Sequence, residues 1–221
     1  MNVNNKDIKP FYIYTDKNSL YIKNINEHTE KLCNNIHTYS ANIDNSKKIH
    51  ICCVDTSGKL IHLSNTNGYW KKNVIGKAFN NIKNIKNLRT YILNNYLNIF
   101  VVEKYPLSDN LYRVSHFNFS PSNYKVSKYH INNILKDKES IYKLNIDDSS
   151  NIIFEYKSPT SSRLDSTSNA LIFNSNSRIW TTNNTLLRSS YVPEANEYCS
   201  HVQSNIQDDI FEYCYSIDYK I

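Results

Sequence analysis

Glycine is nearly missing from this chain: 221 residues include 3 Gly, 5 Pro, 1 Met and 2 Trp. No Gly-rich phosphate loop can be built from that set, and no HExxH or GxSxG signature is present. Turns must come from Asn, Asp and Ser, whose side chains bond nearby backbone and which tolerate the left-handed region. The 5 cysteines are Cys33, Cys52, Cys53, Cys199 and Cys214, an odd number with no CxxC pair. That spacing speaks against a zinc site and against a closed disulfide framework. Cys52 and Cys53 are neighbours on one strand and face opposite sides. One is expected in the core and the other nearer solvent, with cross-linking between molecules as the sharper role for the five. No apolar run approaches the ~20 residues of a membrane span. Residues 1–7 lack the apolar core of a signal peptide, so synthesis in the cytoplasm is expected. The net charge of +6 is dispersed. Without a basic stripe interleaved with aromatics, no nucleic-acid partner is expected.

Against these absences stand 18 Tyr and a repeated pattern of apolar strand, polar turn, apolar strand. It occupies residues 39–53, 90–102 and 142–156, and more loosely 198–213. The anchors Ile43, Leu93, Ile146 and Val202 recur roughly every 50 to 56 residues, a spacing known from blade repeats. Two further strands follow each hairpin. After the first come residues 59–64 and 69–75, after the second 110–117 and 124–129, after the third 169–173 and 179–182. Phe11-Tyr12-Ile13-Tyr14 opens a related set at the N-terminus. Short strands of even spacing joined by polar turns predict an all-β fold, and four antiparallel strands per unit predict a propeller.

The boundaries read as a partial blade at 11–36, full blades at 38–76, 87–134 and 140–187, and a partial blade at 196–221. A single β-propeller domain of about five blades follows. Four blades result instead if the strand near Tyr198 completes the first partial blade. Asp44, Ile49-His50-Ile51, Asp147 and Trp70-Lys71 resemble the β-propeller repeats of clostridial proteins. In those repeats an Asp turn precedes an Ile-His-Ile strand and Trp-Lys opens the outer strand. The resemblance implies a lectin-like or sialidase-like propeller scaffold and names no ligand.

Candidate chemistry is sparse. Asp55-Thr-Ser-Gly58 is similar to part of the sialidase Asp box, though a plain turn with Gly58 at positive φ is the simpler reading. Sialidase catalysis needs three Arg around a carboxylate, and Arg89, Arg113, Arg163, Arg178 and Arg188 form no such triad in the repeat pattern. Asp147-Asp148 and Asp208-Asp209 sit in turns, where capping suffices. His50 and His62 alternate with apolar residues on two strands; they could face each other across a ladder and bind a metal, with polar positions of a half-exposed strand as the simpler reading. Tyr69, Trp70, Tyr124 and Trp180 recur at the start of the outer strand and are the ligand-binding candidates, with packing between blades as the competing role. No catalytic residue, metal or cofactor is expected. The expected function is a non-enzymatic, self-associating structural module of a bacterial spore or cell surface. Phe11, Tyr12, Ile13 and Tyr14 of one molecule would pair with Ile210, Phe211, Tyr213 and Tyr215 of a neighbour. A glycan-binding lectin is the alternative, and a sialidase-like glycosidase the remote one.

Overall fold

The computed structural model describes residues 11–24, 26, 28–66, 68–108, 110–136, 140–159, 166–182, 199–201 and 212–214. The described chain is all-β and its strand pairs are antiparallel. The first strands are β1 (Phe11–Asp16), β2 (Ser19–Asn24) and β3 (Thr29–Cys33). Then come β4 (Ile36–Ile43), β5 (Ile49–Asp55), β6 (Lys59–Thr66) and β7 (Tyr69–Lys77). After a 3-10 turn at Ile82–Asn84 follow β8 (Ile85–Leu93), β9 (Tyr96–Lys104), β10 (Leu111–Phe119) and β11 (Ser127–Leu135). The third set is β12 (Tyr142–Ile146), β13 (Ile152–Pro159), β14 (Ser166–Asn174) and β15 (Ile179–Thr182). Two short strands end the chain: β16 (Cys199–His201) and β17 (Glu212–Cys214).

The turns are built as the scarcity of glycine demands. Asp44 Oδ1 accepts from the backbone N–H of Ser46 and of Lys48, both at 2.9 Å, and Lys47 takes a φ of 62°. Asp147 Oδ1 repeats this with Ser149 at 2.9 Å and Asn151 at 2.8 Å, with Ser150 at 61°. Between β8 and β9 the loop shrinks to Asn94 and Asn95, both at positive φ. That is the two-residue hairpin loop for which Asn is the best substitute for Gly.

By hydrogen bonding the strands make three sheets, where five blades were expected. Strands β4 to β7 form one four-stranded sheet in sequence order. The sets β8–β11 and β12–β15 join into an eight-stranded sheet through a single pair, Leu135 with Lys157. That junction is possible because β12 occupies the edge of β13 only as far as Tyr156, leaving Lys157 open to β11. The two C-terminal strands add to the first set in the order β16-β17-β1-β2-β3. Phe11, Tyr12 and Ile13 pair with Cys214, Tyr213 and Glu212. The pairing expected between neighbouring molecules is therefore made within the chain, because the β1 edge is already filled. Ile210, Phe211 and Tyr215 lie outside the described residues.

Two compact units result, one holding β1–β7 with β16 and β17, the other β8–β15. In the first unit β1–β3 pack on one face of β4–β6 through Ile13, Leu20, Cys33, Ile51, Ile61 and Leu63. The Tyr39 hydroxyl donates across this layer to the Ile13 carbonyl at 2.9 Å. In the second unit the face of β8–β11 packs on that of β12–β15 through Phe100, Val114, Ile134, Ile152, Phe154 and Phe173. Each such ring taken fully from water contributes on the order of 2 to 3 kcal/mol. The second strand of each of the first two full sets, β5 and β9, is buried on both faces except at its ends.

Candidate functional site

Polar side chains gather in three places on these sheets. The first is on β5 and β6. His50 and His62 are 2% and 0% exposed, so the half-exposed strand expected for them is not what forms. Their rings meet with His50 Nδ1 2.9 Å from His62 Nε2, and His50 Nε2 lies 3.1 Å from Asp44 Oδ2. Burial pushes the His50 pKa down, against the raising effect of Asp44, and pushes that of His62 down to about 3. With both rings neutral the directions are set: His62 Nε2–H donates to His50, and His50 Nε2–H donates to Asp44. Each ring nitrogen in these contacts is thereby used within the chain. Among the described residues no group of three or more His, Cys, Asp or Glu is arranged to hold a metal.

The second place is the layer between β10 and β13–β15. The His116 ring is fully buried, with Phe100 stacked 4.4 Å away and Phe173 edge-on at 4.7 Å. Trp180 Nε1–H donates to His116 Nδ1 at 3.1 Å, and His116 Nε2–H donates to Asn98 Oδ1 at 3.1 Å. Asn118 Nδ2 donates to the same Asn98 oxygen at 2.9 Å. Burial holds the His116 pKa down at about 3, so the ring is neutral. Trp180 has its N–H bonded and its ring against Phe173 and Phe154, at 5.2 and 6.1 Å. Tyr124 stacks on Phe119 at 5.7 Å, and Trp70 packs on the core of the first unit. Tyr69 is 81% exposed. Tyr69 and Trp70 are consecutive on β7 and so face opposite sides, which prevents a shared stacking platform.

The third place reaches solvent and is the candidate site. Across β9, β10 and β11 stand Glu103, Arg113, Ser115, Lys128 and His130. Glu103 pairs with Arg113, and Ser115 with His130, so the strand register puts their side chains on one face. Arg113 grips the Glu103 carboxylate with Nη2 at 2.7 Å and Nε at 3.1 Å. This contact raises the pKa of Arg113 further. Ser115 Oγ lies 2.9 Å from Glu103 Oε2 and 3.0 Å from His130 Nδ1. A carboxylate only accepts, so the serine proton goes to Glu103 and His130 Nδ1–H donates to Oγ. Burial, then Lys128 and Arg113, lower the His130 pKa, and burial lowers that of Lys128. Lys128 stands over the Phe117 ring at 5.2 Å. The outer rim therefore carries the Arg113 guanidinium and the acceptor Nε2 of His130, above a carboxylate that is already matched. Ser115 itself is 0% exposed. Sequence reading singled out Arg113 alone of these five. Strand alternation was the only signal that linked it to the others, and pairing across three strands is not written in any local spacing.

The Asp55 turn takes the form its sequence suggests. Asp55 Oδ1 accepts from Ser57 N at 2.9 Å, Ser57 Oγ at 2.8 Å and Lys59 N at 2.8 Å. Burial alone would raise its pKa, but these bonds hold it below the usual carboxylate value. Cys52 and Cys53 are both 0% exposed, so neither is the surface thiol expected of one of them. Both faces of β5 are covered. Cys199 and Cys214 stand in β16 and β17 as partners in the strand register.

Architecture and site together define a class: an antiparallel all-β protein built from repeated four-stranded sets. No family model matches the chain, and no curated protein matches it. Among the described residues no helix is long and apolar enough to cross a membrane.

Proposed function

We propose that this chain is a non-enzymatic, propeller-type interaction module that associates with copies of itself, on the surface of a bacterial spore or cell. The observation that supports the reading is the recurring four-stranded set, whose second strands β5 and β9 are buried on both faces. Burial on both faces is what a middle blade in a stack of blades requires, and a circular stack is a propeller. The site chemistry supports a binding role over a catalytic one. Ser115 is the hydroxyl nearest to a histidine and a carboxylate, yet it is buried and its proton is directed to Glu103. The histidine donates to it instead of receiving from it, the reverse of what an activated nucleophile needs.

Association would use the terminal ladder. Three residue pairs hold β17 on β1. A ladder so short at a chain end can be made with a neighbour's β1 at little difference in energy, which is strand exchange. The exchange is head-to-tail, so it builds rings or filaments. Light scattering over a concentration series tests this. The full chain should grow in mass with concentration, and a chain lacking residues 205–221 should not. A full chain that stays monomeric at high concentration ends the proposal.

Glycan binding is the second reading, favoured by the Arg113 guanidinium and the acceptor Nε2 of neutral His130 on the solvent-facing rim. A glycan array that is silent for the wild-type chain removes it.

A further inference from the structure

Cys33 and Lys72 are far apart in sequence and touch in the first unit. Cys33 ends β3 and Lys72 lies on β7, in different sheets. Lys72 Nζ stands 3.0 Å from Cys33 Sγ, while the thiol points at the Asn34 carbonyl 3.6 Å away. The sulfur thus gives its proton to Asn34 and receives from Lys72. Lysine is held in this contact chiefly by its bond to sulfur, which raises its own pKa. Cys33 is 5% exposed, whereas Cys52 and Cys53 are at 0%. Among the three cysteines with described side chains it is the one a small oxidant reaches. Lys72 is exposed, so its nitrogen exchanges protons freely with water. A cysteine beside a cation is the environment in which thiols react with peroxide.

We propose that hydrogen peroxide cross-links Cys33 to Lys72, covalently tying β3 to β7. In the first step the sulfur attacks one peroxide oxygen, the O–O bond breaks and water leaves, giving sulfenic acid at Cys33. In the second step the Lys72 nitrogen, its extra proton released to solvent, attacks the sulfur. The S–N bond forms, the S–O bond breaks, and the oxygen leaves as a second water carrying a proton from nitrogen. Sulfur loses two electrons and peroxide gains them, so the account balances with one peroxide and no other reagent. The product is a sulfenamide, the kind of bond sulfenic acids form with neighbouring nitrogen. Thiols reverse it by attacking the sulfur. The linkage closes a chain segment that includes β4, β5 and β6.

The test treats the full-length chain with hydrogen peroxide, removes the excess with catalase and digests without reductant. Mass spectrometry should find the Cys33 peptide joined to the Lys72 peptide, lighter than their sum by two hydrogens. Trypsin should no longer cut after Lys72, and dithiothreitol should restore both peptides. The joined species should be absent from Cys33→Ser and from Lys72→Arg, since a guanidinium has no free lone pair to offer. Lys72 is on the surface, so its replacement leaves the fold intact. As a second readout, peroxide should raise the thermal midpoint of the wild type reversibly and leave that of Lys72→Arg unchanged. Sulfinic or sulfonic acid at Cys33, a Cys33–Cys53 disulfide, or a cross-link that survives Lys72→Arg each overturns the proposal.

Discussion

At the scale of single residues, Gly58 is the clearest case of a position with no substitute. Its φ is 83°, and a Cβ there would stand 2.0 Å from the Phe79 carbonyl oxygen. Ala78 and Phe79 both donate to the Gly58 carbonyl, so the backbone cannot move aside. Gly58→Ala should cost about 3 kcal/mol, read as a shift in the urea midpoint at unchanged slope. Asn98 and Asn118 make a sharper comparison. Asn118 Oδ1 is buried without a partner, whereas Asn98 Oδ1 holds both His116 and Asn118. Counted from the Leu93–Tyr96 and Ile43–Ile49 pairs, Asn118 occupies the place of Leu63 in the preceding set. Asn118→Leu should therefore change stability by less than about 1 kcal/mol. Asn98→Leu should cost about 2 to 3 kcal/mol by stranding the His116 N–H. Equal losses in chemical denaturation would contradict the assigned network. The histidines set the response to acid. His62 and His116 have folded pKa values of about 3, below the unfolded value near 6.5. The unfolded chain takes up their protons first, so the stability they secure is complete above pH 6.5 and is lost as pH falls toward 3. Each should contribute a slope of about 1.4 kcal/mol per pH unit in that window. Urea titrations between pH 7 and 4 measure it, and His116→Gln should flatten the curve by one proton.

At the scale of elements, Trp180 shows what β15 contributes. Its ring packs on Phe154 and Phe173 and its N–H donates to His116 Nδ1. Trp180→Phe should cost about 1 to 3 kcal/mol through the lost bond. Trp180→Ala should cost more, about 3 to 5 kcal/mol, by removing the packing as well. Neither should alter glycan binding. The strand sets themselves were legible in sequence, because period-2 alternation and polar turns are local properties. The Asp44 and Asp147 turns were legible for the same reason. What lay beyond reach was set by packing between layers. The burial of His50, His62 and Cys52 follows from a covered second face, which a single strand cannot announce. The union of β11 with β13 depends on where β12 stops, one residue before Lys157. The Glu103–Arg113–Ser115–His130 constellation needs the exact offset of three strands, including the irregularity between Tyr112 and Val114.

At the scale of the whole molecule, the aromatic terminal strands suggested open edges seeking a neighbour, and the chain fills one of them itself. The proposed self-association would then be a competition between two equivalent partners for β1. Dilution should dissolve any assembly at the rate at which the terminal strands detach, the rate that exchange of the Tyr213 amide also reports; a mismatch between the two rates would point to a different interface. Phe11 and Cys214 are paired across 203 intervening steps of chain, 214 minus 11. Loop closure over such a span gains its contacts only after the sets between are folded. The ladder of β1 with β17 should therefore form last and open first. Amide protons of Tyr213 should exchange with solvent deuterium long before those of Ile51 or Val101, whose strands are enclosed on both sides. In a cell, the same ordering leaves a nascent chain with an unfilled β1 edge until Glu212 to Cys214 have been made and have left the ribosome.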